Sequence, residues 1–223
     1  LYRSIPADHP RGPAARLAVA RCYEKILTRL RSLDRPTEEW RETAIAELQG
    51  YLPPISAQSS TFTESQAAIA TYLARMYLNA VPTDFSGADA VLARLFEAYP
   101  PETTQGASPQ LRRTLTDAMQ LRVVSLAGQN RMDEAGGILS ELSETSPSDM
   151  LQILNGLSRL VHAADEDVRK GLGVLQLQAV ESLQRRRGEL NEQKTKGIDT
   201  GRAQADVATG HHDEAIASYE ELV

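Results

Sequence analysis

The chain has few residues that could carry chemistry, and the densest group is His211-His212-Asp213-Glu214. Imidazole and carboxylate groups are ligands that Zn²⁺ takes in proteins. Neighbouring residues of a helix do not share a face, and the sequence has no His-Glu-x-x-His spacing that would align two histidines. The pattern therefore favours an exposed turn before the acidic start of a helix, and we expect no metal site.

A glycine pair, Gly171-Leu172-Gly173, begins like a phosphate-binding loop. That motif needs a third glycine or a following Lys-Ser/Thr, and it needs a strand before it. None of these is present, so the pair indicates a bend or a close crossing within a helix. We expect no nucleotide and no other cofactor.

The remaining reactive or charged candidates have simple structural interpretations. Cys22 is the single cysteine, which excludes an internal disulfide and a cysteine metal cluster. Arg185-Arg186-Arg187 is the one basic run, and we expect a solvated helix face there, with an anion or acidic-peptide contact as the alternative. Trp40 is predicted to pack between helical hairpins, with stacking on a ligand as the alternative role. Cys22 is assigned to a buried apolar stripe whose members are Leu17, Cys22, Ile26, Leu30 and Leu33.

Composition narrows the class of protein. The 223 residues are 41% hydrophobic and carry 24 basic against 30 acidic side chains, for a formal net charge of −6. Such a balance argues against a nucleic-acid partner, because no surplus positive charge is available for phosphates. No apolar run approaches the roughly 20 residues that span a bilayer, so we expect no direct membrane insertion. The expected segment is soluble, and its compartment is left open between cytoplasm and periplasm.

The elements that must position these residues are helices. Apolar residues recur at spacings of three to five, and alternating strand-like runs are missing, so the pattern predicts an all-α fold. Residues 1–12 form a proline-rich lead-in, and 13–223 form the helical region, which we expect to be a segment of a longer chain. Thr37 and Ser148 are predicted N-caps. The predicted helices are 13–33, 37–51, 62–80, 85–99, 108–128, 131–145, 148–164, 166–190, 195–209 and 212–223.

An internal repeat accompanies this pattern. Pro53, Pro100 and Pro147 are spaced 47 residues apart. The same shift aligns three rows of apolar positions in the helix before each proline, and these positions share one helix face. The rows are Ala44, Val91 and Ile138; Ile45, Leu92 and Leu139; and Leu48, Leu95 and Leu142.

Two segments resemble the start of the second helix of a tetratricopeptide repeat. They are Gly210-His211-His212-Asp213-Glu214-Ala215 with Tyr219, and Asn130-Arg131-Met132-Asp133-Glu134-Ala135 with Leu139 and Pro147; Gly87-Ala88 with Leu92 and Pro100 is a weaker copy. The resemblance implies a right-handed α-α superhelix of about five helical hairpins, with a HEAT-like helical repeat as a near neighbour. It also implies that six residues pack between helices: Ala88, Leu92, Ala135, Leu139, Ala215 and Tyr219.

The same resemblance implies a concave groove lined by the first helices of successive hairpins. Transferred through the two alanine registers, the groove positions are Leu73, Tyr77, Gln120, Val124 and Gln204. Packing between hairpins is the alternative role for these side chains.

The expected function is a non-enzymatic scaffold that binds a segment of another protein in this groove. The main alternative is a helical regulatory or sensor region of a larger enzyme or signalling protein. Two further alternatives are less favoured. A catalytic helical domain would need converging histidine, cysteine or carboxylate groups, and the chain has only four histidines and one cysteine. A helical-repeat nucleic-acid reader would need a basic surface, and the net charge of −6 argues against one.

Overall fold

The computed structural model describes residues 5–6, 9–54, 62–100, 107–142, 147–161 and 166–220. Within those ranges the regular structure is helical throughout, which confirms the all-α prediction. A short 3₁₀ helix spans Arg187–Glu189. The ten α-helices are α1 (Gly12–Ser32), α2 (Glu38–Gln49), α3 (Glu64–Leu78), α4 (Phe85–Ala98), α5 (Pro109–Gly128), α6 (Met132–Leu142), α7 (Pro147–Val161), α8 (Glu166–Arg185), α9 (Glu192–Thr209) and α10 (His212–Glu220).

Of the two predicted N-caps, Thr37 holds the N-cap position of α2 but makes no capping hydrogen bond, and Ser148 does not precede its helix. Thr37 precedes α2, but its hydroxyl accepts from the Arg41 guanidinium instead of a backbone amide. Ser148 lies inside α7, where its hydroxyl oxygen accepts a hydrogen bond from the Lys194 ammonium at 2.8 Å. Three other side chains do cap helix N-termini. Thr63 forms a reciprocal capping box with Gln66 at the start of α3, Asp84 caps α4, and Asn191 caps α9.

The buried face of α1 also differs from the predicted stripe. Cys22 is exposed and Leu33 is about half exposed, while the side chains that face the interior are Ala15, Val19, Ala20, Tyr23 and Leu27. Both sets repeat at helical spacing, so periodicity alone does not choose between them. The choice is made by packing, because α1 lies against both α2 and α3.

The chain divides into two compact units, residues 1–118 and 119–223, with the division inside α5. In unit 1, α3 packs against α1, α2 and α4. Its core contains fully buried aliphatic side chains from each helix, and polar bonds tie the helices together. The Tyr23 hydroxyl donates to Glu47 at 2.6 Å, joining α1 to α2. Fully buried side chains of this core are Leu48, Ile69, Leu73, Leu92 and Leu95.

In unit 2, α8 packs against α6, α7 and α9, and α9 also contacts α7 and α10. One hydrophobic cluster joins the second half of α5 to α6, α7, α8 and α9. Large side chains of this cluster that are almost completely buried include Leu126, Leu139, Ile153, Leu157 and Leu172.

Glycines allow close helix contacts in unit 2. A Cβ atom at Gly173 would lie 2.9 Å from the Cβ of Ala208 on α9, and one at Gly171 would lie 2.8 Å from the Met132 side chain on α6. The expected close crossing at this glycine pair is therefore confirmed. At the end of α9, Gly210 has φ +86° and lets the chain reverse into α10.

Candidate interaction site

A cleft of about 210 Å³ lies between α1 and α3 in unit 1. Its floor is formed by Leu27 and Met76, two apolar side chains that are almost completely buried. Its walls carry polar groups from both helices: Glu24, Thr28, Arg31, Tyr72, Arg75 and Asn79. Residues four apart share a helix face, which explains how Glu24 and Thr28, and Tyr72 and Met76, come to line one cleft.

Arg75 is the central charged group of this cleft. Its guanidinium donates to the Glu24 carboxylate of α1 at 3.3 Å and to the Asp117 carboxylate of α5 at 3.0 Å. It also lies 5.8 Å from the centre of the Tyr72 ring, a distance at which a cation is attracted to the aromatic face. One cation thus links three helices, and its position is fixed from three sides.

The arrangement is suited to binding. Thr28, Arg31 and Asn79 are exposed around a buried apolar floor. Interfaces of moderate size combine an apolar centre with a polar rim, and polar groups at the rim set orientation. A side chain of a partner segment that enters this cleft would meet polar groups at its edge, while the nearly buried Leu27 and Met76 offer it little apolar surface.

The groove residues predicted in unit 1 do not line this cleft. Leu73 is fully buried in the core, so its side chain is not accessible to a partner, and packing is the role that the structure gives it. Tyr77 is half-buried and turns towards α2, where its hydroxyl accepts from the Gln49 side chain at 2.6 Å. Burial raises the pKa of Tyr77, and the negative charge of Asp84 raises it further.

The groove residues predicted in unit 2 lie at different depths. Gln120 is buried, and its side-chain nitrogen has no hydrogen-bond partner among the described residues. Val124 packs so closely on α7 that a Cβ at Gly156 would lie 2.7 Å from it. Gln204 is half-buried on α9. The role of these three residues in a groove stays a prediction.

Of the six residues predicted to pack between helices, five are buried and one is exposed. The exposed residue is Tyr219, with 42% of its surface accessible. Their equivalence as members of a repeat stays a prediction. The five buried residues are Ala88, Leu92, Ala135, Leu139 and Ala215.

The cleft between α1 and α3 is not among the predicted sites, because the groove positions were transferred through the Ala88 and Ala135 registers of the repeat. On α3 these registers select Leu73 and Tyr77, whereas the accessible face carries Tyr72, Arg75 and Asn79. One signal was present: α3 places an aromatic residue, a cation and an amide at i, i+3 and i+7, which is the spacing of a single helix face.

The other chemical candidates lie elsewhere on the described surface. His211 sits in the exposed turn before α10, and its ring is 2.9 Å from the Thr209 hydroxyl. Arg186 pairs with Glu189 and Arg187 with Asp199, so this basic run is largely paired. Trp40 is 46% exposed, which contradicts the predicted packing role. Among the described residues, no group of three or more histidine, cysteine or acidic side chains is placed to hold a metal ion.

A second cleft, of about 380 Å³, lies between α6 and α8 in unit 2. Met132 and Gly136 line it from α6, and Val174 and Leu175 from α8. The Gln178 side chain closes one side by donating to the Ser140 hydroxyl at 2.7 Å.

None of the described helices is both long and apolar enough to cross a membrane.

Comparison with protein-family models and with curated proteins gives no match for this chain.

Proposed function

We propose that this chain is a non-enzymatic interaction scaffold and that it binds a segment of a partner protein at the cleft between α1 and α3. The observation that carries the proposal is the cleft itself, in which an almost fully buried Leu27 and Met76 are bordered by accessible polar side chains. The Arg75 bridge to Glu24 and Asp117 holds the cleft wall in place before any partner arrives. Such preorganisation lowers the entropy lost on binding.

We further propose that the helices form tetratricopeptide-like hairpins stacked into a superhelix. Within each unit, the closest helix pairs join a helix to the next one or the next but one along the chain, which is the pattern of stacked hairpins. The positions repeated at 47 residues support this arrangement. One complete row of them, Leu48, Leu95 and Leu142, is buried.

The test measures which proteins bind the immobilised chain in a lysate of its source organism, by quantitative mass spectrometry. The cleft variant is Tyr72→Ala with Asn79→Ala, because both side chains are accessible and neither belongs to the floor. Leu73→Glu is unsuitable, since it would place a charge in the core of unit 1 and unfold it.

The matched control is Glu141→Ala with Lys196→Ala, two exposed residues of unit 2. Circular dichroism and thermal melting establish that both variants are folded. We expect at least one protein to be retained by the wild type and by the control and to decrease about tenfold on the cleft variant, which corresponds to about 1.4 kcal/mol. Equal retention by all three proteins would overturn the proposal.

A further inference from the structure

The positive charge of this acidic chain is concentrated on one helix. Gly12–Ser32 contains five basic residues and one acidic residue, so α1 has a formal charge of +4 in a chain of −6, and the rest of the chain carries −10. Three of these basic residues, Arg21, Lys25 and Arg29, recur every fourth position. We name them the α1 basic stripe.

The α1 basic stripe faces solvent. All three side chains are exposed, on the side of the helix away from Val19, Tyr23 and Leu27, which point into the core of unit 1. None of the three forms an ion pair with any residue that the structure describes. Pairing between cations and carboxylates is otherwise common in the chain, since Arg75, Arg131, Arg186 and Arg187 each meet a carboxylate at 3.3 Å or less.

The stripe is continuous with the cleft between α1 and α3. Thr28 and Glu24 line both this cleft and a shallow depression that includes Lys25 and Arg29. The exposed Thr28 hydroxyl lies in this depression and can donate a hydrogen bond to an anionic group, whereas the Ser32 hydroxyl already donates to the Arg29 carbonyl oxygen at 2.8 Å. Accessible cations and the Thr28 hydroxyl therefore border the apolar floor on the α1 side.

We infer that the α1 basic stripe binds an acidic helical segment of a partner protein, with carboxylates spaced four residues apart. Four residues of α-helix rise about 6 Å, so glutamates or aspartates at i, i+4 and i+8 of a partner helix match the spacing of the three cations. This inference rests on the proposed scaffold function and names the chemistry of the partner at its site.

An acidic protein segment fits better than a nucleic acid or a membrane. Three cations release few counterions from a polyphosphate, and the −10 of the remaining chain repels a long polyanion or an anionic bilayer. A short segment with three carboxylates needs only the charges that the stripe offers.

The probe is a fluorescein-labelled, alanine-rich helical peptide with three glutamates, each four residues after the last. A second peptide carries glutamine at those three positions. Fluorescence anisotropy with the whole chain is measured at low and at high salt. We expect the glutamate peptide to bind about tenfold more tightly than the glutamine peptide at low salt, because each exposed ion pair contributes about a twofold to threefold gain. The difference should shrink at high salt.

The stripe variant is Arg21→Gln, Lys25→Gln and Arg29→Gln. Its matched control, Arg112→Gln, Arg113→Gln and Lys196→Gln, removes the same net charge from exposed positions on other helices. We expect the stripe variant to lose the tenfold preference and the control to keep it. Loss of preference in both variants would mean that net charge alone acts, and it would overturn the inference.

Two further titrations test whether a nucleic acid or an anionic membrane binds the chain more tightly than an acidic peptide does. Labelled oligouridylate and vesicles of phosphatidylcholine with phosphatidylserine are titrated under the same conditions, and tighter binding of either than of the glutamate peptide would also overturn the inference. If the stripe variant binds the peptide like the wild type while the cleft variant still loses its captured protein, only the acidic nature of the partner is disproved. If neither the stripe variant nor the cleft variant changes binding, the scaffold proposal is overturned together with this inference.

Discussion

Unit 1 and unit 2 bring helices together with different residues. Ten of the eleven aromatic residues precede residue 118, whereas ten of the fourteen glycines follow it. Helices of unit 1 are joined through long polar side chains, as in the bridge from Arg75 to Glu24 and Asp117. In unit 2, glycines such as Gly173 and Gly201 bring the helices so close that a Cβ there would overlap the neighbouring helix.

This difference extends to the clefts of the two units. Long side chains between helices keep the backbones apart and leave a cleft with a polar border, as between α1 and α3. Small residues let backbones approach and bury the contact completely, because side chains then interdigitate at the density of a protein interior. Unit 2 also has a cleft, of about 380 Å³ between α6 and α8, but Met132, Val174 and Leu175 make its lining more apolar than that of the cleft between α1 and α3.

The largest effect that we predict tests the glycine packing of unit 2. Gly173→Ala should lower the free energy of unfolding by about 1–3 kcal/mol, the usual cost of overpacking a core. The added Cβ would lie 2.9 Å from the Cβ of Ala208 and 3.2 Å from the Ala205 carbonyl oxygen, neither of which can move without shifting α9. Urea denaturation followed by circular dichroism measures the change.

Gly197→Ala is the matched control on α9. A Cβ at Gly197 would have no neighbour within 4 Å, so this variant should gain about 0.5–1 kcal/mol from the restricted backbone of alanine. If Gly173→Ala were as stable as Gly197→Ala, close approach of α8 and α9 would not be what the glycine provides.

Much of this fold could be predicted from the sequence, because local signals mark where helices end. The predicted span of α4, 85–99, agrees with Phe85–Ala98, since Asp84 caps its start and a proline follows Tyr99. The predicted and observed starts of α9 differ by three residues. There the cap is Asn191, and the preceding polar sequence offers no hydrophobic signal.

The side-chain arrangement could not be predicted in the same way. The buried face of α1 depends on contacts with α2 and α3, which sequence periodicity does not contain. The basic run at 185–187 was conspicuous in the sequence, yet Arg186 and Arg187 are paired with acidic neighbours. Cations spaced every fourth residue on α1 are inconspicuous in the sequence, although a helix places them on one face.

A second prediction concerns a buried carboxylate of unit 2 whose hydrogen bonding within the described structure is incomplete, in contrast to the hydrogen-bonded carboxylates of the Arg75 bridge in unit 1. Asp206 is 5% exposed, and one of its carboxylate oxygens has no hydrogen-bond partner among the described residues. Burial raises the pKa of Asp206 above its ordinary value of 3.8, although Arg202 and His211 act against this and Glu214 adds to it. Asp206→Asn should therefore raise the Tm at neutral pH by about 2–4 °C, the shift that about 1 kcal/mol produces in a chain of this size.

The pH dependence follows from the direction of this shift. With a raised pKa, the folded chain holds a proton that the unfolded chain has released, so stability falls as the pH rises from 3.8 through the folded-state pKa of Asp206. The advantage of Asp206→Asn should accordingly shrink as the pH is lowered towards 4. Thermal melts across this range, with the exposed Asp213→Asn as control, would count against the explanation if the two variants behaved alike.

The smallest effect that we predict compares the ion pairs of the two units. Arg75 bridges two carboxylates from different helices, whereas Arg187 makes a bidentate pair with Asp199 alone, at 2.8 and 2.9 Å. All of these side chains are partly exposed, so each pair should contribute only about 0–1 kcal/mol.

Arg75→Met should nevertheless cost more than Arg187→Met, because it removes ion pairs with two carboxylates instead of one. A double-mutant cycle of Arg75→Met with Glu24→Gln, measured by urea denaturation at low and high salt, isolates the pair between α1 and α3. We expect a favourable coupling that salt weakens. A coupling of zero at low salt would show that the apolar floor, and not the bridge, holds the cleft of unit 1 in place.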